Sequence, residues 1–352
     1  MKIKLALLDG DGNYLSRLAS ALTGRYPDKL ELYSFTDAAA ALAALESSRI
    51  DVFIADSAFD IDAGRLPGGC GFAYFVGSAD IASYKDSPAV CKYQKVDSIY
   101  KAALAIFSET VSEAIGIRAD SDPDVRALVF ASPAGGVGTS SAAAACARSF
   151  ASAGKRTLYL NLEQFGGAEP FFAGDGQADF GDVIFALKSG KASLSLKLES
   201  CVRRDPSGVF FFKSPKTALD MAELGAEDMK RLLRELKLSG AYDSIVADAD
   251  FSLSERSVEL FRRSSELVLV SDGSELANAK LARAFRAMEL LDRGSGAALL
   301  PRAAIFYNKF SNKTGRMAEE NVRTIGGAPR YERAETEQVV RQLVGLGLFQ
   351  KI

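Results

Sequence analysis

Three glycines and a run of hydroxyl side chains between Ser132 and Ser141, "SPAGGVGTSS", are the densest chemical signal in the chain. Gly135, Gly136 and Gly138 allow the backbone to curl so that successive N–H groups converge on one anion. The apolar run "RALVFAS" precedes the curl and an alanine-rich helical pattern starting near Thr139 follows it. The loop therefore opens onto a helix N-terminus, whose partial positive charge favours phosphate. Candidate phosphate contacts are Gly135, Gly136, Val137, Gly138, Thr139, Ser140 and Ser141, and the Ser140 hydroxyl falls where it would ligate Mg²⁺. The loop alone also fits a plain strand-to-helix turn with a serine cap.

Such a loop needs a sheet behind it, and the rest of the chain supplies the pattern of two. In the first third, "IKLALL", "LELYSF", "DVFIAD", "FAYFVG" and "AVCKYQ" read as strands, separated by helical stretches such as "YLSRLASALTGRY". After the polar, proline-containing "RADSDPDV", a second alternation runs through "RALVFAS", "RTLYLNLE", "SGVFFFKS", "YDSIVADAD", "ELVLVSDGS" and "AAIFYNKF". The expectation is two doubly wound α/β domains with parallel sheets, residues 1–117 and 127–352, joined by a linker at 118–126. The tail "ETEQVVRQLVGLGLFQKI" reads as an amphipathic terminal helix with a frayed end.

Composition narrows the chemistry. The 352 residues carry a formal net charge of -2, which argues against a nucleic-acid-coating surface. There is no histidine, so imidazole-based triads and metal sites are excluded. Cys70, Cys91, Cys146 and Cys201 are far apart and fit reduced, mostly buried thiols. No apolar run approaches the roughly 20 residues that span a bilayer, and a cytoplasmic location is expected. Only the terminal helix, with Val339, Val340, Leu343, Leu346, Leu348 and Phe349, offers an interfacial surface, and packing onto the domain is the favoured reading. A basic group of Lys309, Lys313, Arg316 and Arg323 sits beside Glu319 and Glu320 and gives no strong nucleic-acid signal.

The glycine skeleton resembles, position by position, the deviant Walker A loop of the ParA/MinD ATPases, K-G-G-V-G-K-T-T. The resemblance implies a P-loop NTPase of the ParA/MinD (SIMIBI) type binding ATP and Mg²⁺. Both lysines are replaced: Ala134 stands at the signature lysine and Thr139 at the lysine that contacts the terminal phosphates. Losing one such charge-assisted contact weakens binding by about 1.5–3 kcal/mol, roughly ten- to a hundredfold. Hydrolysis, which depends on neutralising the transferring phosphoryl group, is expected to be slow or absent. The same resemblance places "YLNLEQFGG" at the strand end that orients the attacking water, with Asn161 for the first acid and Glu163 for the second. It places Asp248, ending "SIVAD", as the Mg²⁺-linked carboxylate and Asn308 as the adenine contact. From the residues alone, Glu163 serves equally as a solvated loop acid and Asn308 as a strand-end residue.

The first domain resembles the flavodoxin-like receiver domain of response regulators. Asp56 falls at the phosphoacceptor, with Asp9, Asp11, Ser78 and Lys92 as its accompanying acids, hydroxyl and lysine. Gly10 lies between the two acids where a third is usual, and Tyr93 replaces the proline after the lysine. A thinned acid cluster favours a pseudo-receiver used for docking over phosphotransfer, and Asp56 also suits a simple cap. A receiver-like domain ahead of a lysine-poor ParA/MinD domain is the arrangement of the TadZ/CpaE proteins. "CKYQKVDSIYKA", "GGVGTSS" and "APRYERAETEQVVRQL" carry that resemblance. It implies a cytoplasmic homodimer, concentrated at a cell pole, that places Tad-type pilus secretion machinery. An active ATPase positioning cargo on DNA or membrane, and a nucleotide-free scaffold, are the alternatives.

Overall fold

A computed structural model describes residues 2–110, 125–190, 193–318 and 322–352. Most of the expected linker, the helical pattern after Thr110, and Glu319 with Glu320 lie outside the described residues. Contacts divide the chain into two compact units: Met1–Arg118 with Ser189–Cys201, and Ala119–Lys188 with Val202–Ile352.

The first unit runs β1 (Ile3–Leu8), α1 (Gly12–Arg25), β2 (Leu30–Phe35), α2 (Ala38–Ser48), β3 (Val52–Asp56), β4 (Gly71–Val76), β5 (Ser83–Tyr84), β6 (Ser87–Cys91) and α3 (Val96–Thr110). Its strand order is β2-β1-β3-β4-β6-β5, parallel apart from the β5–β6 hairpin. β1 and β3 are apolar almost throughout because both faces of a parallel sheet are covered. Leu15, Leu18 and Leu22 of α1 join Ile99, Ala103 and Leu104 of α3 in one core, while Ala41 and Leu45 of α2 join Phe53 and Ala55 in another. Asp11 and Asp37 cap α1 and α2 by accepting from backbone N–H groups of the first turn. The hairpin turn places Lys85 and Asp86 at φ 47° and 61°, the backbone of a two-residue primed turn.

The second unit continues with β7 (Arg126–Ala131), α4 (Thr139–Ser152), β8 (Thr157–Asn161) and α5 (Phe180–Ser189). Next comes α6 (Leu194–Cys201), which belongs to the first unit. Ser193 N–H donates to the Ser108 carbonyl, Lys29 pairs with Glu199, the Tyr100 hydroxyl donates to Glu199 at 3.2 Å, and Leu196 packs on the α1/α3 core. Sequence alone leaves this segment within the 127–352 domain, because an amphipathic octamer carries no mark of which sheet it will cover.

Back in the second unit follow β9 (Arg203–Arg204), β10 (Phe210–Phe211), α7 (Ala218–Ala222), α8 (Ala226–Leu238), β11 (Ser244–Asp248), α9 (Glu255–Arg263), β12 (Glu266–Ser271), α10 (Glu275–Ser295), β13 (Ala303–Phe310), β14 (Arg323–Pro329) and α11 (Thr336–Gly345). The strand order is β14-β13-β12-β7-β11-β8-β10-β9, parallel except at β9. β7 lies between β11 and β12, at the point where successive connections depart in opposite directions, and ligands of such sheets bind beyond the strands' carboxyl ends. Ala142 to Ala147 of α4 are fully buried, small side chains that let the helix sit close to the sheet below and α11 above.

The chain end is not frayed. After α11 a short 3-10 turn, Leu348–Lys351, inserts Phe349 between Phe130 and Phe306 with ring centroids at 6.1 and 5.2 Å. Val340 and Leu343 are buried in the same core, so the apolar face of the terminal helix is spent on its own domain. Arg148 of α4 fixes that helix by donating to Glu337 at 2.7 Å. No helix among the described residues is long and apolar enough to cross a membrane.

Candidate functional site: a phosphate loop facing two carboxylates

β7 delivers the chain into the loop at the carboxyl edge of the sheet. The Ser132 hydroxyl donates to the Val270 carbonyl of β12 at 2.6 Å and accepts from Ala134 N–H at 3.0 Å, pinning the loop's first turn. Gly136 and Gly138 have φ of 77° and 83°, the left-handed region that glycine enters without strain. A Cβ on Gly136 would meet open space, whereas one on Gly138 would strike the Asn308 amide. Ala134, standing where a lysine was expected by resemblance, is buried in the core beside Val137. Above the loop is a cavity of about 410 Å³, lined among others by Gly135, Gly136, Gly138, Thr139, Ser140 and Ser141.

Facing the loop are two acids. Asp248 ends β11 and pairs in register with Asn161 at the end of β8, so their side chains emerge side by side. Asn161 Nδ2 lies 3.3 Å from Asp248 Oδ2 and 3.4 Å from Glu163 Oε2, and the Ser140 hydroxyl donates to Glu163 at 3.2 Å. Tyr159, two residues before Asn161 on the same face of β8, donates its hydroxyl to Asp248 Oδ2 at 2.8 Å. Asp248 is fully buried, and its Oδ1 has no hydrogen-bond partner. Burial, reinforced by the nearby Glu163 charge, pushes its carboxyl up to about 8. A buried carboxylate with an unused oxygen, a second acid and a serine hydroxyl form an oxygen-rich donor set of the kind a small divalent cation takes with phosphate oxygens. Among the described residues no cluster of three or more acids or thiols exists, so such an ion would depend on ligand oxygens to complete its shell.

Asn308, near the end of β13, is buried at 2% exposure, and its amide donates to the Val137 carbonyl at 2.8 Å and reaches the Gly138 carbonyl at 3.3 Å. It braces the loop backbone and also lines a second cavity of about 310 Å³ with Ser141, Lys309, Pro329, Arg330 and Tyr331. Lys309 lines both cavities and donates to the Gly136 carbonyl at 2.7 Å. Sequence reasoning missed the site contributions of Lys309, Tyr159 and Asp250. Asp250 lines the first cavity and ties its two rim loops together by accepting from Gln164 N–H at 2.8 Å. The signal for Tyr159 was its i−2 spacing from Asn161; for Lys309 it was adjacency to Asn308.

The first unit presents another acid pair at strand ends. Lys92, following β6, reaches back to both Asp9 and Asp56, at 3.1 Å from the latter. Burial acts to lower the Lys92 pKa, but its hydrogen bonds to the two carboxylates outweigh this and the net direction is up. The ammonium also lies 4.7 Å above the Tyr14 ring. Asp56 Oδ1 accepts from Ala58 N–H at 2.9 Å, capping its own loop. Asp11 is engaged as the α1 cap, and the Ser78 hydroxyl donates to Asp80 at 3.3 Å. The five residues expected here by resemblance thus divide into a Lys92–Asp9–Asp56 ion triad and two local caps or turns.

Comparison with known proteins bears on both units. Residues 1–108 match the family model "TadZ-like, receiver domain". No curated protein matches the chain in sequence. Among solved structures, a ParA family ATPase from Chlorobium tepidum TLS is similar at 19% identity and TM-score 0.53, covering 65% of this chain and 98% of its own. The septum site-determining protein MinD of Pyrococcus horikoshii OT3, complexed with Mg-ADP, is similar at 16% identity and TM-score 0.50, covering 64% and 93%. At these identities the likeness is one of fold. Residues 1–108 are thus similar to a TadZ-like receiver domain, and the second unit has the fold of the ParA/MinD ATPases.

Proposed function

We propose that the second unit binds Mg·ATP, turns it over slowly or not at all, and uses the bound state to hold a homodimer that positions Tad-type pilus machinery, in the cytoplasm at a cell pole. The observation that carries the nucleotide part is the unpartnered, fully buried Oδ1 of Asp248 beside Glu163 and Ser140, opposite a glycine loop with its cavity. Ser140, Asp248 and Glu163 would hold the ion, which supplies neutralisation of phosphate charge. Gly135 to Ser141 supply backbone donors to the phosphates. Asn308 holds the loop in shape and borders the second cavity, which is of a size and place to take the base.

Slow turnover follows from two features. Asn161 cannot accept a proton from an attacking water as a carboxylate would, and the family's two loop lysines are absent. A bound state that persists is suited to holding an assembly, since its output is a population and not a flux. The rim loops carry exposed apolar side chains, Phe165 at 87% and Leu253 at 46%, which suit burial against a second copy facing the nucleotide.

Thermal melting with Mg·ATP, Mg·ADP and Mg·GTP tests the reading, because ligand at a hundredfold excess over Kd stabilises by about 2.7 kcal/mol. The expected outcome is a rise of several degrees with ATP, absent in Ser140→Ala and Asp248→Ala, and a doubling of mass by light scattering. No rise with any nucleotide at millimolar concentration would leave a scaffold with a relic site.

A further inference from the structure

We propose that Lys309 is the phosphate-neutralising cation of this site, reaching it from β13, two strands away from β7, in place of the loop lysines missing at Ala134 and Thr139; the inference rests on the nucleotide-binding reading above. Lys309 is the only cationic side chain among the described residues lining the phosphate cavity, where Glu163 and Asp250 are both acidic. A polyphosphate entering a cavity whose other charges are negative needs at least one fixed cation beyond the metal ion. The side chain is already in the cavity, with its ammonium 2.7 Å from the Gly136 carbonyl. That bond uses one of three N–H donors and leaves two for phosphate oxygens.

The backbone supports a special role. Lys309 has φ 58°, a left-handed conformation that a non-glycine residue adopts only under strain. It departs from the regular strand just after Asn308, whose amide is fastened to the loop at Val137. The neighbouring pair thus clamps the loop from outside: the amide fixes its backbone, and the ammonium sits at the junction of the two cavities. A cation placed there meets phosphates from the side of the base cavity, unlike a lysine rising from the loop itself. Ala134 and Thr139 both line the cavity, so a cation returned to either loop position would reach the same space as Lys309.

Fluorescence titration with Mg²⁺ present, comparing ATP, ADP and adenosine by competition, reads this directly. Lys309→Met is expected to weaken ATP and ADP by ten- to a hundredfold and adenosine by several-fold at most. Lys309→Arg keeps most of the affinity, and Thr139→Lys in the Lys309→Met background restores ATP binding by returning a cation to the loop. Equal losses for adenosine and ATP, or a lowered unliganded melting temperature that Thr139→Lys does not repair, would reduce Lys309 to a brace for the loop. Unchanged ATP affinity in Lys309→Met would overturn the proposal while leaving nucleotide binding intact. A wild-type chain that binds none of the three defeats both readings together.

Discussion

Each unit places two carboxylates at or just beyond the ends of parallel strands, yet the two sites handle their charge in opposite ways. In the first, Lys92 of the same domain lies between Asp9 and Asp56, and the acids are neutralised from within. In the second, Asp248 and Glu163 share only neutral donors, Tyr159, Asn161 and Ser140, and one Asp248 oxygen has no partner. Neutral hydrogen bonds do not offset the burial of Asp248 beside the Glu163 charge, which is why its carboxyl is raised to about 8, whereas in the first site the two carboxylates hold the Lys92 ammonium above its ordinary value. Two doubly wound domains can therefore place acids alike and differ in whether the countercharge is built in or must arrive.

Removing the internal cation is the strongest way to break that contrast. Lys92→Met leaves two acids without their partner, one of them buried, and is expected to destabilise the chain by about 3 kcal/mol. Mg²⁺ alone should then raise its melting temperature, a response the wild-type first site lacks. The converse change is Asp248→Asn. A carboxyl whose folded pKa is raised from 3.8 to about 8 binds its proton more tightly folded than unfolded, so unliganded stability falls as pH rises through that window. Asparagine removes the loss: melting should exceed wild type at pH 8 by at least the ~1.4 kcal/mol that one unit represents. The gap should close towards pH 4, and the variant should no longer respond to Mg·ATP. A smaller effect, about 1 kcal/mol, is expected for Asp56→Asn, which leaves Lys92 on Asp9. The smallest is none: acetyl phosphate with Mg²⁺ should add no mass to the intact protein, because Lys92 and the local caps already occupy the groups a phosphoaspartate would need.

The sequence showed the two alternations, the glycine skeleton and the strand-end position of Asp248, because each is a local pattern of period or composition. It could not show that Asn161 and Asp248 stand side by side, since that depends on the register of β8 against β11. Lys309 was noticed only as part of a basic surface group. Its arrival at Gly136 comes from the placement of β13 two strands from β7, bridging 173 residues. The expected role of Asn308 was a contact to the base, and the fold adds a brace on the loop backbone that no motif records. A frayed end is the ordinary expectation for a terminus, and no local pattern in the tail announces that its last residues dock. In the fold Gly347, at φ 65°, makes the turn that sends Phe349 inward.

The helix α6 has a consequence for how the chain matures on the ribosome. Glu199 meets its partner Lys29 across 170 residues of sequence, so the layer over α3 stays incomplete until β7, the phosphate loop and β8 have already been synthesised. The first domain to emerge is thus not complete when its own contiguous stretch has been made, but only once Cys201 has followed. During that interval the α3 surface is open to chaperones, and a nascent chain stalled or cut near residue 118 would carry an exposed apolar patch that the full-length product conceals.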